Sequence, residues 1–492
     1  MKVLGRKGGG SKDGKGVDKG VNFIDYDGTI LYSYTAEEAQ ALTELPANPS
    51  HNGLIAQGWN WSLANIKSQL TNVGGDVWVG QMYETESGKT EIDINADNPD
   101  FLSPYLAIAV NGTATIDWGD GTATNTVRGT SYTTLKYTPH VYATTGRYTI
   151  SIDGPIGFYC NSGNYCALLT DKASLSNRRT YSQYVEAIRC TDGVHIENNA
   201  FNNCYALQSI TIPDGVTSIG NSAFHGCHSL QSITIPDGVT SIAAYAFQDC
   251  YSLQSITIPD EVTSIAAYAF YGCYALQSIT IPDGVTSIWA YAFNNCYSLQ
   301  LITIPDGVTS IAASAFYGCY TLQSITIPDG VTSIGNNAFQ NCFSLQLITI
   351  PDGVTSIAAY AFYNCYSLQS ITIHDRVTSI GNNAFYNCYS LQSITIPDGV
   401  KSIAAYAFYN CYSLQSITIP DGVTSIAASA FYGCCSIMEY HLLPTTPPTL
   451  ANKNAFNGIV AGTIIYVPEG SLNAYKTATN WSTYASYMQE EP

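Results

Sequence analysis

The stretch LQSITIPDGVTSIAAYAFQDCYS at residues 230–252 decides the fold. Ten consecutive units of this 23-residue pattern run without a gap from Leu207 to Ser436, and a degenerate, shorter unit begins at about Val185. Self-similarity at a fixed period of about 20–50 residues is typical of solenoids, in which each unit is one coil. A single coil cannot bury its own apolar edge, whereas stacked coils share a continuous core.

Each unit combines a strand-like segment with a turn. In residues 230–252 the segment Leu-x-x-Ile-x-Ile alternates with period 2, and Pro236-Asp237-Gly238 predicts a turn. Apolar positions shared by the units are predicted to form the core, which in this unit means Leu230, Ile233, Ile235, Val239, Ile242, Ala246, Phe247 and Cys250. At about 4.8 Å per strand, ten coils predict a rod on the order of 50 Å long.

The pattern resembles the BspA-type leucine-rich repeats, whose signature is an Ile-Pro turn followed by Val-x-x-Ile and Ala-Phe-x-x-Cys. The resemblance covers about half of the chain. Proteins with these repeats occur on bacterial surfaces and are encoded by phages, and they are associated with adhesion to host proteins and cells. The resemblance therefore implies an adhesion or recognition protein, a function that the fold alone does not establish.

A second resemblance lies upstream of the repeats. Its motifs are Asp117-Trp118-Gly119-Asp120-Gly121-Thr122, His140-Val141-Tyr142 and Gly146-x-Tyr148-x-Ile150, set among short alternating segments. Together they resemble a polycystic-kidney-disease (PKD) domain, an immunoglobulin-like β-sandwich found as a spacer or binding module in surface proteins. Asp117 and Asp120 are predicted to be turn residues, because short polar side chains favour tight turns.

The chain is therefore predicted to be multidomain, with a leucine-rich-repeat solenoid of short strands connected by turns or short helical segments. The predicted ranges are a flexible Gly/Lys tail at 1–20, a small mixed module at 21–97, the PKD-like sandwich at 98–154, a bridge at 155–183, the solenoid at 184–436 and a C-terminal cap at 437–492. The small module contains a helix capping box at 35–38. In the cap, a strand over 464–467 and a helix after Ser471 would close the apolar end of the solenoid.

Composition and charge exclude several classes of partner. The 492-residue chain has a net charge of −18 and a pI near 4.6, which repel nucleic-acid phosphates and anionic lipid headgroups. No run of about 18 apolar residues predicts a membrane span, and the basic N-terminus lacks the apolar segment of a standard secretory signal. Neither nucleic acid, membrane insertion nor a cofactor is expected.

One motif resembles that of an enzyme. Apolar residues followed by Asp25-Tyr26-Asp27-Gly28-Thr29 resemble the nucleophile motif of haloacid-dehalogenase phosphatases. The resemblance would make Asp25 the nucleophile that attacks phosphorus and Asp27 the acid and base beside magnesium. About 75 residues before the PKD-like motifs are too few for the doubly wound sheet of such enzymes. An Asp-Gly turn after a strand is therefore favoured, and a phosphatase is kept as the alternative function.

The cysteines and the turn aspartates both have structural explanations. Eleven cysteines recur through the repeats without paired C-x-x-C ligands, so we expect a buried column of thiols and no metal site. Cys160 and Cys166 in the bridge are the only plausible local disulfide. The aspartates of the Pro-Asp-Gly turns, from Asp214 to Asp421, would stack at about 5 Å, but turn formation explains them without a cation.

The units differ mainly at two sets of positions, where Tyr, Ser, Asn, Ala and Gly predominate. This alphabet resembles that of recognition surfaces, which combine rigid aromatic side chains with small polar ones. For the tyrosines that follow each cysteine, stacking between coils and contact with a ligand are both open explanations, and drift after duplication is a third. The candidate binding residues are Tyr245, Tyr251, Tyr268, Tyr274, Tyr291, Tyr297, Tyr320, Tyr360, Tyr366, Tyr389, Tyr406 and Tyr412.

We expect this varied face to bind a protein or glycan on another surface, because a heterogeneous partner does not repeat every 5 Å or so. The alternative site is the uniform Gln/Ser/Thr ladder on the strands, which suits a regular polymer. A virion-associated or extracellular location is favoured. The missing export signal tilts the expectation toward a phage virion or tail-associated host-recognition protein.

Overall fold

The computed structural model describes residues 20–24, 30–50, 54–59, 63, 66–67, 70, 77–85, 87–158, 168–170 and 182–492. The chain divides into two compact units between Gly284 and Val285. This division falls inside the repeats, so each unit holds its own series of coils. No helix in the described part of the chain is long and apolar enough to cross a lipid bilayer.

The first unit begins with a four-stranded sheet in the order β2-β1-β4-β3. Its strands are β1 Gly20–Ile24, β2 Ile30–Thr35, β3 Leu54–Trp59 and β4 Val77–Thr85, and helix α1 Ala36–Ala41 follows β2. The predicted capping box is confirmed, because the Glu38 amide donates to the Thr35 hydroxyl at 3.2 Å and the Thr35 amide donates to the Glu38 carboxylate at 2.9 Å. Phe23 and Trp59 pack edge to face at 4.9 Å in the small core.

A larger sheet follows, and it runs on into the repeats in the order β12-β9-β6-β8-β5-β11, with β7 and β10 also paired to β6. Short 3-10 helices cover Pro99–Phe101 and Ser182–Tyr184. The strands are β5 Thr90–Asn95, β6 Tyr105–Asp117, β7 Asn125–Pro139, β8 Arg147–Asp153, β9 Ile156–Phe158, β10 Leu169–Thr170, β11 Val185–Arg189 and β12 His195–Ile196.

The PKD-like motifs meet in one packed cluster. The Trp118 ring stacks on His140 at 4.5 Å, and the Tyr142 hydroxyl donates to the Trp118 carbonyl at 3.2 Å. Asp117 and Asp120 each accept a hydrogen bond from the amide two residues further on, which confirms that both are turn residues. His140 lies 2.8 Å from the Asp120 carboxylate. These polar groups therefore hold the module together, and the PKD-like assignment stays a prediction.

The large sheet covers the first coil of the solenoid. β11 pairs antiparallel with β5 on one side and parallel with the first repeat strand on the other. On the second side of the coil, β12 pairs parallel with β9. Arg189 on β11 forms ion pairs with Glu91 and Asp93 on β5. Both strand rows of the solenoid are thus protected at this end from the open edges that favour aggregation.

The coils contribute short strands to two parallel rows, which we call row A and row B, and in row A the coils of Ser324 and Ser393 pair only through isolated bridges. Row A consists of Ser209–Thr211, Ser232–Thr234, Ser255–Thr257 and Ser278–Thr280 in the first unit, and Leu301–Thr303, Leu347–Thr349, Ser370–Thr372 and Ser416–Ile419 in the second. Row B consists of Ser218–Ile219, Ser241–Ile242 and Ser264–Ile265 in the first unit, and Ser287–Ile288, Ser310–Ile311, Ser333–Ile334, Ser356–Ile357, Ser379–Ile380, Ser402–Ile403 and Ser425–Ile426 in the second. The third side of each described coil consists of turns without helical segments.

The predicted core positions are confirmed. In residues 230–252 all eight are at most 5% exposed. The phenylalanines form ladders along each unit, as where Phe339 stacks between Phe316 and Phe362 at 5.6 Å on each side. Each buried thiol has a polar role as well, because Cys365 donates its S–H to the Phe339 carbonyl at 3.2 Å. A thiol therefore fills the core and bonds to the preceding coil.

The second unit ends in a layer that covers the last coil. It contains strands Glu439–Leu442, Thr449–Leu450, Ile464–Val467 and Met488–Glu490, helix α2 Leu472–Thr477 and the 3-10 helix Trp481–Tyr487. Trp481 lies 5.3 Å from Phe456, which is itself stacked on Phe431, and its indole N–H donates to the Pro448 carbonyl at 2.7 Å. The apolar column of the repeats is thereby closed.

Candidate recognition face

Two residues in the turns of each coil have left-handed backbone conformation. In residues 230–252 they are Tyr245, with φ of 61°, and Asp249, with φ of 57°. Their amides point along the solenoid and donate to carbonyls of the next coil, from Tyr245 to Ala267 at 3.1 Å and from Asp249 to Tyr271 at 2.7 Å. We call the two series of equivalent positions the first and second left-handed columns. The hydrogen bonds between coils thus accompany positive φ at both columns.

The second left-handed column contains only residues that tolerate this conformation. Its members are Asn203, Gly226, Asp249, Gly272, Asn295, Gly318, Asn341, Asn364, Asn387, Asn410 and Gly433. Consecutive asparagines also bond to one another, as where the Asn387 amide donates to Asn364 at 3.0 Å. Gly and the short polar Asn and Asp adopt left-handed φ most readily. Backbone conformation alone therefore accounts for the composition of this column.

The first left-handed column has the same backbone and a different composition. Its members are Asn199, Ser222, Tyr245, Tyr268, Tyr291, Ser314, Asn337, Tyr360, Asn383, Tyr406 and Ser429, all with φ between 53° and 61°. A bulky L-residue in this region costs about 1–2 kcal/mol relative to a right-handed conformation. Backbone conformation therefore does not explain the five tyrosines, whose rings are 39–40% exposed at Tyr245, Tyr360 and Tyr406.

The tyrosines that follow each cysteine stack on their neighbours. In the first unit Tyr251 lies 4.6 Å from Tyr274, and the rings are nearly parallel. In the second unit the spacing is 4.5–5.0 Å for the pairs Tyr297–Tyr320, Tyr366–Tyr389 and Tyr389–Tyr412. A stacked ring has its faces covered by its neighbours. The post-cysteine column therefore presents mainly ring edges and hydroxyls to solvent.

Burial also affects the hydroxyls of this column. Together with the nearby Asp249 carboxylate and neighbouring phenols, it raises the pKa of Tyr251. Partial burial and the adjacent Tyr366 and Tyr412 likewise raise the pKa of Tyr389. The hydroxyls of both tyrosines are therefore uncharged hydrogen-bond donors and acceptors at neutral pH.

Sequence reasoning missed a further tyrosine column in the second unit. Tyr363, Tyr386, Tyr409 and Tyr432 follow the core phenylalanines and stack at 4.6–4.7 Å. Tyr360 and Tyr406 lean against this column, at 5.6 Å from Tyr363 and 5.8 Å from Tyr409. The signal was present in the sequence, since the position after the core phenylalanine varies between units.

Trp289 was also left out of the candidate residues. It replaces an alanine or glycine at the position two residues before the first left-handed column, and it is 57% exposed. Exposed tryptophan is rare and is enriched among residues that dominate binding energy. From Trp289 to Tyr432, the varied positions between row B and the residue after each cysteine carry no charged side chain, and the basic residues Arg376 and Lys401 lie in the turns before row B. The face of this unit is therefore aromatic, hydroxyl-rich and neutral.

The uniform strand ladder is partly covered. In the first unit β4 lies against the first two row A strands, and Ser209, Ser232 and Ser255 are 4–8% exposed. In the second unit the equivalent Ser393 and Ser416 are exposed. The ladder is thus accessible mainly in the second unit, and the varied face is open in both.

The motif with Asp25 and Asp27, and the pair Cys160 and Cys166, lie outside the described residues. Within the described part of the chain every cysteine is a free thiol, and no group of three or more His, Cys, Asp and Glu side chains is arranged to hold a metal ion. Burial raises the pKa of the Cys204 thiol to about 12, although a hydrogen bond with Ser182 lowers it.

Comparison with known proteins shows which family the repeats resemble. A family model described as the BspA type leucine-rich repeat region matches residues 194–322 and 309–438. A leucine-rich repeat protein from Bacteroides ovatus is 32% identical, with 56% of this chain and 76% of that one covered and a TM-score of 0.46. A leucine-rich cell surface protein from Faecalibacterium prausnitzii is 32% identical, with 58% and 80% covered and a TM-score of 0.36. A search of curated proteins finds no match.

The repeats and the family-model match define the class, since the chain is a leucine-rich repeat protein built as a solenoid. It belongs to the BspA-type leucine-rich repeat family, as the Ile-Pro, Val-x-x-Ile and Ala-Phe-x-x-Cys signature predicts. Proteins of this kind typically serve in adhesion or recognition at surfaces. The identity of the partner is a separate question.

Proposed function

We propose that this protein is a non-enzymatic recognition protein that binds a protein or glycan on another surface through the varied face of its solenoid. The contrast between the two left-handed columns carries the proposal. Both columns have the same backbone, yet only the first contains tyrosine. Residues held in costly conformations cluster at functional sites, where they are retained for what the side chain does.

The chemistry of the face fits recognition. Tyrosine supplies large, rigid contact area with a hydrogen-bonding tip, and the small Ser, Asn and Ala residues between the rings shape the surface around a partner. The varied sequence from coil to coil suits a partner whose own surface is irregular. The site requires no cofactor, and the phosphatase alternative gains no support from the residues around this face.

The surface that displays the protein stays a prediction from the sequence. Immunogold labelling of producing cells and of any phage particles they release would distinguish a cell surface from a virion. Labelling confined to the cytosol would contradict both locations and, with them, an adhesive role.

The binding face can be tested on the full chain with an array of glycans and extracellular proteins. Changing Tyr245, Tyr268 and Tyr291 together to Asn removes three rings and leaves a residue that other coils already carry at this column. We expect binding to weaken by at least about 2 kcal/mol, or about 30-fold, as when aromatic hot spots are removed.

The matched control changes Thr326, Thr372 and Thr395 to Ala, since these exposed threonines belong to the strand ladder of the second unit. Affinity should change by less than about threefold. Binding that is lost in the threonine variant and kept in the tyrosine variant would move the site to the strand face. Both variants must first show the circular dichroism and urea midpoint of a folded chain.

A further inference from the structure

Two exposed tyrosines of the second unit flank a coil that lacks one. Tyr360 and Tyr406 belong to the first left-handed column, and the coil between them carries Gly381-Asn382-Asn383 where they have Ala-Ala-Tyr. The stacked tyrosines beside them are 4.6–4.7 Å apart per coil. Two coils therefore separate the rings of Tyr360 and Tyr406 by about 9–10 Å. We call the opening between these two rings the Asn383 slot.

The slot has aromatic walls and a polar floor. Tyr386 forms its side, and Tyr406 leans toward Tyr386 with ring centroids 6.5 Å apart and planes at 58°. Asn383 is half-buried at the floor with φ of 56°, so its backbone is fixed. Among the described residues, nothing hydrogen-bonds to its side-chain amide. The slot therefore combines two ring faces with an available donor and acceptor.

The distance between the Tyr360 and Tyr406 rings limits the shape of the group that can bind between them. A ring that took the place of the missing tyrosine would lie roughly 5 Å from the ring on either side, within the range for contact with an aromatic face. In the first unit Tyr245 and Tyr268 show this packing in the same column, at 4.8 Å. The opening is thus one ring thick. It is too narrow for a helix, whose diameter with side chains is about 10–12 Å.

Polarity distinguishes a sugar from an aromatic side chain. A phenyl ring in the slot would cover the Asn383 amide without bonding to it, and an unsatisfied buried amide is costly. A pyranose ring has C–H groups on its faces and hydroxyls at its rim. It can therefore pack against Tyr360 and Tyr406 while its hydroxyls bond to Asn383 and to the neighbouring phenol.

Charge narrows the class further. In the second unit the tyrosine columns and the positions between them carry no charged side chain, since Arg376 and Lys401 lie in the turns before row B. A carboxylate on a sugar in the slot would therefore lose hydration without meeting a cation there. We propose that the Asn383 slot binds one pyranose ring of a neutral glycan. This assignment rests on the proposed recognition function and specifies its ligand class.

The test titrates the full chain with neutral hexasaccharides of glucose, mannose and N-acetylglucosamine, and with a galacturonate hexasaccharide, by isothermal titration calorimetry. Asn383→Tyr fills the slot with the residue that the neighbouring coils carry. We expect at least one neutral hexasaccharide to bind and Asn383→Tyr to weaken it at least about tenfold, since the guest ring loses its position.

Asn337→Tyr is the matched control, because it makes the same change in the same column two coils away and leaves the Asn383 slot open. Its affinity should stay within about threefold of the parent chain. Asn383→Ser keeps the opening and removes the amide, so binding should be weakened less than by Asn383→Tyr. Urea midpoints for all three variants show whether each chain is folded.

Any of three results would contradict the proposal that the slot binds a neutral sugar. Either no neutral hexasaccharide binds, or Asn383→Tyr binds the neutral hexasaccharide as tightly as the parent chain does, or the galacturonate hexasaccharide binds more tightly than every neutral one. The broader function fails in a different way. If Asn383→Tyr has no effect while the variant at Tyr245, Tyr268 and Tyr291 loses array binding, the recognition face stands and the sugar slot is wrong. If Asn383→Tyr weakens hexasaccharide binding while the variant at Tyr245, Tyr268 and Tyr291 keeps its array binding, the sugar slot stands and the wider recognition face is wrong.

Discussion

At the residue scale, each coil places cysteine where a small apolar side chain with one weak donor is useful. Cys342 donates to the Phe316 carbonyl at 3.2 Å, and the same bond recurs in other coils. Burial raises the pKa of Cys342 and Cys365 well above the ordinary thiol value. Because the thiolate is the reactive form, burial protects these side chains in two ways: reagents cannot reach them, and the thiols stay protonated.

The reactivity of the thiols follows from this burial. Cys435 is the exposed member of the described cysteines. With Cys160 and Cys166 changed to Ser, we expect a thiol-specific reagent at pH 8 to modify about one thiol per native chain, and the rest only after denaturation. Ellman's reagent with mass mapping of the modified peptide measures this. Rapid labelling of several repeat cysteines would contradict a closed core.

At the element scale, the coil itself was predictable and its turn geometry was not. The Leu, Ile, Val and Phe positions that recur in every full unit predicted the core of residues 230–252. A single burial pattern, repeated in each coil, places all of these side chains inside. The positive φ at Tyr245 could not be predicted from the sequence, since tyrosine gives no signal for a left-handed turn. Coverage of Ser232 by β4 was also beyond prediction, because it depends on packing between segments far apart in sequence.

The phenylalanine ladder gives an energetic test of the coil. Phe339 is fully buried between Phe316 and Phe362. Phe339→Ala should lower the free energy of unfolding by about 3–5 kcal/mol, the range for emptying a buried phenyl site. Urea denaturation followed by far-ultraviolet circular dichroism measures the loss. A decrease below about 1 kcal/mol would mean that neighbouring coils collapse into the space.

At the scale of the whole molecule, a large set of buried thiols links stability to alkaline pH. Burial raises the pKa of Cys227, Cys250 and Cys388 among others, so the native chain keeps protons that the unfolded chain releases. This stabilisation is fully present below the unfolded thiol pKa of about 8.5 and declines as pH rises above it. Each thiol contributes up to about 1.4 kcal/mol per pH unit of that decline.

We therefore expect the urea midpoint to fall steeply between about pH 9 and 11, because many thiols act in the same direction. Denaturation curves at half-unit pH steps measure the slope. Changing Cys342 and Cys365 to Ala should make the slope shallower even though it lowers stability at pH 7. A midpoint that stays constant up to about pH 11 would contradict the linkage.

The central claim is that the tyrosines of the first left-handed column contribute to recognition and not to the stability of the fold. The substitution Tyr360→Asn tests this claim most directly. Asparagine relieves a backbone cost of about 1–2 kcal/mol, while the lost contact with Tyr363 is worth about 0.5–1.5 kcal/mol. By urea denaturation, the free energy of unfolding should therefore change by between about −0.5 and about +1.5 kcal/mol. A loss greater than about 1 kcal/mol would show that the ring is a structural element and contradict the account.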